Sequence, residues 1–273
     1  MSFPEFSDKV RLKILPATRV YYIRKTGSDA NDGLTAATAY LTLAKAFDQL
    51  HAVDFIGQHL IFDIGAGNWT NEMSYEGGWL ATILLSSDIK GPVTIRGAGN
   101  TTIIDGQSVR NGISLVNVPY HVTIQGLKFL NCLISISSNH SLSWLDGVLT
   151  FVGNNLNSGG AISCVNNSYM SAGASCIITL SGDFYWSLSA TFNSTLALSA
   201  ALVFSSPTHG YAAVHAAVYG CLYLNPGTST VTGSATGTRY HVYAKGLINT
   251  GGRGENLFPG TVAGNVATDG LYI

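Results

Sequence analysis

The chain has 273 residues, which is long for one globular domain and ordinary for a single solenoid. Only 11% of its residues are charged, 46% are hydrophobic and the net charge is −1. This composition argues against a disordered chain and against a basic surface for nucleic acid. No apolar run reaches the roughly 18 residues of a membrane span, and the N-terminus lacks the apolar segment of a secretory signal. We therefore expect no nucleic-acid partner, no membrane insertion and no signal peptide.

The N-terminal third of the chain contains two regions. Residues 1–19 are charged and lack a clear period, which predicts an arm rather than core. Residues 20–90 open with a strand pattern and a turn rich in Gly, Asp and Asn. The one convincing helix pattern follows, because Thr42 is placed to cap a helix on which Leu43 and Phe47 share a face. The sequence therefore predicts a cap of strand and helix over residues 20–90.

Residues 91–236 form a third region of short β patterns, each closed by Gly or Asn. Residues 93–97 (VTIRG) and 122–126 (VTIQG) are near copies, 29 residues apart. Alternation along a strand places the Val and Ile of each copy inside and the Thr outside. Asn-Gly and Asp-Gly pairs leave hairpins open, but no helix pattern connects these strands, so a solenoid of parallel strands is the simplest architecture. Residues 237–273 close the chain.

A family resemblance adds to this pattern at the N-terminus. Residues 22–33 (YIRKTGSDANDG), 42–47 (TLAKAF) and 65–70 (GAGNWT) together resemble the opening of pectate-lyase-like β-helix proteins. In that family a strand and a turn precede an amphipathic helix that caps the solenoid. The resemblance implies an all-β fold, a right-handed parallel β-helix with an N-terminal capping helix.

The C-terminus carries a second resemblance. Residues 237–249, 258–260 and the closing segment that ends in DGLYI are similar to the ends of phage tail and tailspike β-helix proteins. This resemblance implies a virion protein, a homotrimer of identical subunits that is made in the host cytoplasm. Residues 1–19 would then attach it to other proteins of the phage particle.

Candidate catalytic residues are scarce in the middle of the chain. Between residues 147 and 238 the sequence has one charged residue, Asp183. Cleavage of a polysaccharide needs two carboxylates on one face, or a calcium cluster with a basic residue. Asp146 and Asp183 are the best candidates for a pair formed across coils, although Asp146-Gly147 also fits a turn. A depolymerase of the lyase or glycosidase type is therefore the alternative function.

Metal and cofactor sites are not indicated by the sequence. Asp29, Asn31 and Asp32 begin like a calcium loop, but Tyr40 holds the position that needs an acidic ligand, so we interpret the segment as a turn. The histidines lack zinc spacing. The four cysteines are far apart and lie among apolar neighbours, which predicts buried reduced thiols.

The uncharged stretch carries the main functional prediction. A surface of Ser, Thr, Asn, Gly and aromatic residues is typical of contacts between identical subunits, which lose charge at their centres. It also suits the binding of neutral glycans. The aromatic candidates for glycan contact are Trp144, Tyr169, Tyr185, Trp186 and Tyr211. This surface agrees with what the C-terminal resemblance implies, a tailspike-like or fibre-like virion protein that attaches to a host-surface polysaccharide.

Overall fold

The computed structural model describes residues 13–14, 18–54, 58–70, 73–74, 80–87 and 89–273. The predicted attachment arm, residues 1–19, lies almost entirely outside the described residues. No helix in the described part of the chain is long and apolar enough to cross a membrane.

The N-terminal region contains the helix that the sequence predicts. Strand β1 (Lys13–Ile14) pairs with β3 (Val53–Asp54), and β2 (Arg19–Ile23) pairs with β4 (Leu60–Ile64). Helices α1 (Leu43–Phe47) and α2 (Gln49–Ala52) lie between them. Thr42 caps α1 by accepting a hydrogen bond from the Lys45 amide at 3.2 Å, and the Phe47 ring stacks on Phe62 of β4 at 4.2 Å.

The segment with Asp29, Asn31 and Asp32 is a turn, as predicted, and hydrogen bonds tie it to this helix. The carboxylate of Asp29 accepts hydrogen bonds from the Leu41 and Thr42 amides and from the Thr42 hydroxyl. The Leu34 amide and the Thr38 hydroxyl donate to Asp32, and these bonds lower the pKa of its carboxyl group. Both carboxylates therefore hold the backbone that leads into α1.

The rest of the described chain is a parallel β-solenoid, as the repeated β patterns predict. About seven of its coils have a strand on each of three faces. Face A comprises β2, β4, β8 (Val93–Arg96), the first halves of β11 (Val122–Leu130) and β13 (Leu142–Asn154), β15 (Tyr169–Ala172), β17 (Thr195–Leu198), β19 (Cys221–Leu224), β22 (Leu247–Asn249) and β24 (Leu271–Tyr272).

The other two faces are formed by the strands that follow within each coil. Face B comprises β5 (Gly67–Trp69), β9 (Thr102–Asp105), the second halves of β11 and β13, the first halves of β16 (Ile177–Thr191) and β18 (Ala201–Ala217), and β20 (Thr230–Thr236). Face C comprises β7 (Leu80–Leu85), β10 (Asn111–Val116), β12 (Ile134–Asn139), β14 (Gly160–Val165), the second halves of β16 and β18, β21 (Tyr240–Tyr243) and β23 (Asn265–Val266).

Two short elements lie beside these faces. Strand β6 (Met73–Ser74) runs antiparallel to β7, and a short 3₁₀ helix covers Gly99–Thr101. Every other strand pairing that the structure describes is parallel.

The near copies in the sequence lie directly on top of one another. Val93 pairs with Val122 and Ile95 with Ile124, and all four side chains are buried in the core. Later coils are more regular, since Thr195 pairs with Cys221 and Cys221 with Leu247, each 26 residues further on. A residue and its counterpart 26 positions later therefore occupy the same place on successive coils.

The interior of the solenoid is a continuous apolar column. Phe129 and Phe151 are fully buried, and their rings stack at 5.1 Å with 5° between the planes. All four cysteines are free, as predicted, and Cys132, Cys164 and Cys176 are buried. Cys221 is half-buried instead, because it lies on the outer side of face A.

Candidate functional site

The two candidate carboxylates lie at opposite edges of face B. Asp146 precedes the face B half of β13, and its Oδ1 accepts a hydrogen bond from the Ser175 hydroxyl at 2.9 Å. Asp183 pairs with Asn154 at the far end of that strand. The residues from Val148 to Asn154 span about 20 Å at roughly 3.3 Å per residue, whereas paired carboxylates in glycosidases lie within about 10 Å of each other. The structure therefore does not bring Asp146 and Asp183 together.

The aromatic candidates divide between two faces. Trp144 and Tyr169 lie on the outside of face A, where 36% and 45% of their surface is exposed. Tyr185, Trp186 and Tyr211 lie together at the edge of face C, where the Tyr185 ring stacks on Tyr211 at 5.0 Å. Tyr185 also meets Trp186 edge to face at 5.3 Å. The structure thus brings three of the five predicted residues into one cluster.

Further rings extend this cluster along face C. The Tyr211 ring lies 4.8 Å from His241 and 5.4 Å from His215, and His215 stacks on Tyr243 at 5.6 Å. We call the whole set the aromatic cluster; its members are Tyr185, Trp186, Tyr211, His215, His241 and Tyr243.

A groove of about 300 Å³ runs beside this cluster on the outer side of face C. It crosses five neighbouring strands, from β12 to β21, which is about 19 Å at the usual strand spacing. We call it the face C groove; it is lined by Ile134, Ser163, Val165, Trp186, Ser189, Thr191, Phe192, His215, Ala217, Val218 and Tyr243. These eleven lining residues include no Asp, Glu, Lys or Arg.

The floor of the groove is a row of polar residues in register. Ser163 pairs with Ser189, Ser189 with His215, and His215 with His241. They point outward because their neighbours on each strand, such as Leu188 and Ala190, fill the core. The imidazole Nδ1 of His215 lies 3.2 Å from the Ser189 hydroxyl, and its buried Nε2 has no hydrogen-bond partner.

Three ionisable side chains of the cluster, those of His215, His241 and Tyr211, are neutral near pH 7. Burial, with a smaller contribution from His241, lowers the pKa of His215 to about 4. Burial also lowers the pKa of His241 and raises the pKa of Tyr211 to about 12. The groove therefore presents dipoles and rings to a ligand but no net charge, which favours uncharged ligands.

One wall of the groove is made by residues in an unfavourable backbone conformation. At the corner between faces C and A, successive coils place a residue with positive φ, and at Asn166 that angle is 50°. The equivalent residues of the next two coils are Phe192, with φ 55°, and Val218, with φ 49°. Asn tolerates this left-handed region, whereas a β-branched residue such as Val does so at a cost of about 1–3 kcal/mol. Strain of this kind is typical of functional sites, and here it holds two apolar side chains against the groove.

We expect Val218→Asn to raise stability and weaken ligand binding. Asn removes the strain of a β-branched residue at this φ, which predicts a gain of about 1 kcal/mol in the free energy of unfolding. It also removes an apolar contact from the groove wall. Chemical denaturation and ligand titration of the same variant measure both effects. Asn193→Ala, at the neighbouring corner position with φ 58°, is the control and should lower stability; a Val218→Asn protein less stable than the parent would contradict the strain.

The polar groups of the groove include hydroxyls that are free to bind a ligand. Ser163 Oγ and Thr191 Oγ1 make no hydrogen bond within the described part of the chain. Ligand sites usually combine apolar and aromatic walls with a few such polar groups that fix orientation. Sugars match this arrangement, because their C–H faces pack on aromatic rings while their hydroxyls bind Ser and Thr.

The comparisons with known proteins show no family for this chain. No family model matches it, and no curated protein matches it. Among solved structures it is similar to a rhamnogalacturonan lyase, with 12% sequence identity and a TM-score of 0.38. The similarity covers 93% of this chain and 62% of the lyase, so the chain spans less than two thirds of that protein's length.

Most of the groove was not predicted, although the sequence contains a signal for it. His215 and His241 are 26 residues apart, as are Tyr185 and Tyr211, and this is the length of one coil. Zinc spacings are short separations within one strand or helix, so a period of one coil does not match them. Residues that recur at the coil length lie next to each other on the surface of a solenoid, so this period was the informative one.

A third histidine, His209, has a structural role. The His209 ring is buried between the Ser187 hydroxyl, 2.8 Å from Nε2, and the Thr236 carbonyl oxygen, 3.2 Å from Nδ1. In the described residues, no group of three or more His, Cys, Asp or Glu side chains lies close enough to hold a metal ion.

His209 makes stability depend on pH. Burial lowers its pKa from 6.5 to about 4 in the folded state, so the unfolded chain takes up a proton that the folded chain does not. The contribution of His209 to the free energy of unfolding is fully present above pH 6.5. It is lost as the pH falls towards 4, with a slope of about 1.4 kcal/mol per pH unit in between. Denaturation at pH 7.5, 6 and 5 measures the slope. His209→Gln should reduce it; an equal slope in parent and variant would contradict the assignment.

Proposed function

We propose that this protein attaches to a host-surface polysaccharide by binding neutral sugars in the face C groove. The observation that carries the proposal is the combination of Trp186 and Tyr243 with free hydroxyls in an uncharged groove. Neutral sugars offer C–H faces to the rings and hydroxyls to Ser163 and Thr191. A charged polysaccharide would find no ionic partner among the lining residues.

We further propose that the protein acts in a phage virion, as a tailspike or fibre tip. The resemblance of residues 237–249 and 258–260 to the ends of phage tail and tailspike β-helix proteins supports this role, as does the charge-poor middle of the chain. In this proposal identical subunits form a homotrimer, and residues 1–19 attach it to the particle. Light scattering tests the trimer, which should have three times the chain mass of 28.8 kDa; a monomer would contradict it.

Adsorption to host cells tests the attachment function. Fluorescently labelled protein is expected to bind intact cells, and free capsule or lipopolysaccharide from the same cells should compete for it. Mild periodate oxidation, which destroys sugar diols, should remove the binding, while protease treatment of the cells should leave it. Binding that survives periodate and is lost on proteolysis would show a protein receptor and overturn the proposal.

A further inference from the structure

We infer that the face C groove selects neutral sugars that carry a methyl group, either 6-deoxyhexoses or acetamido sugars. This inference rests on the proposed glycan-binding function and specifies which sugars the same groove prefers. It is drawn from the distribution of apolar and polar atoms across the width of the groove.

The apolar side of the groove is continuous over four coils. Beyond the polar floor, Val165 and Ala217 occupy the next outward-facing row, together with Thr191 and Tyr243. Phe192 and Val218 follow at the corner. A ligand that rests on the floor therefore turns one side towards a wall of mostly aliphatic groups, in which Thr191 and Tyr243 supply the hydroxyls.

The polar capacity of the groove is small compared with the needs of an ordinary hexose. Ser163, Thr191 and Tyr243 each offer one hydroxyl, and Ser189 is already engaged with His215. The unpartnered ring nitrogens, Nε2 of His215 and Nε1 of Trp186, are buried. A hexose carries hydroxyl groups around its whole ring, and a buried hydroxyl without a partner lowers affinity. A 6-deoxyhexose, which has a methyl group in place of the C6 hydroxymethyl, avoids this loss and gains an apolar contact with Val165, Ala217 and Val218. The methyl of an acetamido sugar makes the same apolar contact.

The corner residues support the same direction of selectivity. The fold accepts Asn at this position, as Asn166 shows, and there its side chain donates to the Asn139 side-chain oxygen at 3.1 Å. The next two coils carry Phe192 and Val218 instead, in a backbone conformation that disfavours Val. An apolar wall has therefore been built where a polar and less strained corner was available.

Matched pairs of methyl glycosides test the inference. L-Rhamnose is compared with L-mannose, and N-acetylglucosamine with glucose, by NMR titration of the full-length protein. We expect the methyl-bearing member of at least one pair to bind about tenfold more tightly. Preference within the first pair alone assigns a 6-deoxyhexose, and preference within the second alone assigns an acetamido sugar.

A pair of isosteric variants ties the preference to the wall. Val165→Thr adds a hydroxyl to the groove and should reduce the tenfold preference to about threefold or less, whereas Val152→Thr makes the same change on face B and should leave it unchanged. Equal binding within both pairs would overturn this inference and leave the glycan-binding function in place. If no glycoside or host oligosaccharide binds the protein, the proposed function itself fails.

Discussion

Trp186→Ala is expected to reduce glycan affinity by at least about 30-fold, or roughly 2 kcal/mol. The Trp186 ring lines the groove and packs edge to face on Tyr185. The ring packs directly on the backbone of Gly160, because a Cβ atom at that position would lie only 2.3 Å from the Trp186 Nε1. This contact fixes the position of the ring. A rigid aromatic platform of this kind supplies most of the apolar contact for a sugar ring. Isothermal titration with host oligosaccharide measures the loss.

Trp144→Ala is the matched control for this substitution. Trp144 was an equal candidate in the sequence, but it lies on face A and is 36% exposed, so its removal should change affinity less than twofold. Thr191→Val provides a second test, because it keeps the volume of the side chain and removes one free hydroxyl; about a fivefold loss is expected at unchanged stability. Loss of binding in Trp144→Ala with Trp186→Ala unaffected would move the site to face A.

Phe151→Ala is expected to lower the free energy of unfolding by about 3–5 kcal/mol. The ring is fully buried in the column, stacks on Phe129 and is aligned with Leu180 of the next coil. Strands above and below fix the coil spacing, so the surrounding side chains have little freedom to fill the cavity. Chemical denaturation followed by circular dichroism measures the change.

Val152→Ala, one residue further along the same strand, is the control. Val152 points to the outside of face B and is half-buried, so a loss below about 1 kcal/mol is expected. The contrast between neighbouring residues tests the inward and outward alternation of β13. Equal losses at both positions would contradict the described orientation of the strand.

The sequence predicted the fold where local patterns repeat closely. The VTI copies at residues 93–95 and 122–124 coincide in register, and the helix begins after Thr42 as its capping pattern predicts. The later coils were recognised only as short β runs. Their 26-residue period is hidden because the core accepts any apolar residue at an inward position: Leu188, for example, is followed in its column by Val214 and then Tyr240.

The site was predictable only in part, because residue type does not show which face a strand occupies. Tyr185, Trp186 and Tyr211 meet on face C, while Trp144 and Tyr169 have similar surroundings in the sequence and lie on face A. Phe192 and Val218 carried no signal at all, since their role depends on a positive φ that apolar residues rarely adopt. Such positions become visible only when the corner of each coil is aligned with the next.

We propose above all that the face C groove binds a neutral glycan. A crystal structure of the protein with a host-derived oligosaccharide tests it most directly. We expect a sugar ring packed against Trp186, with hydroxyls within hydrogen-bond distance of Ser163 or Thr191. A sugar bound instead against Trp144 and Tyr169 on face A, with the face C groove occupied by solvent alone, would contradict it.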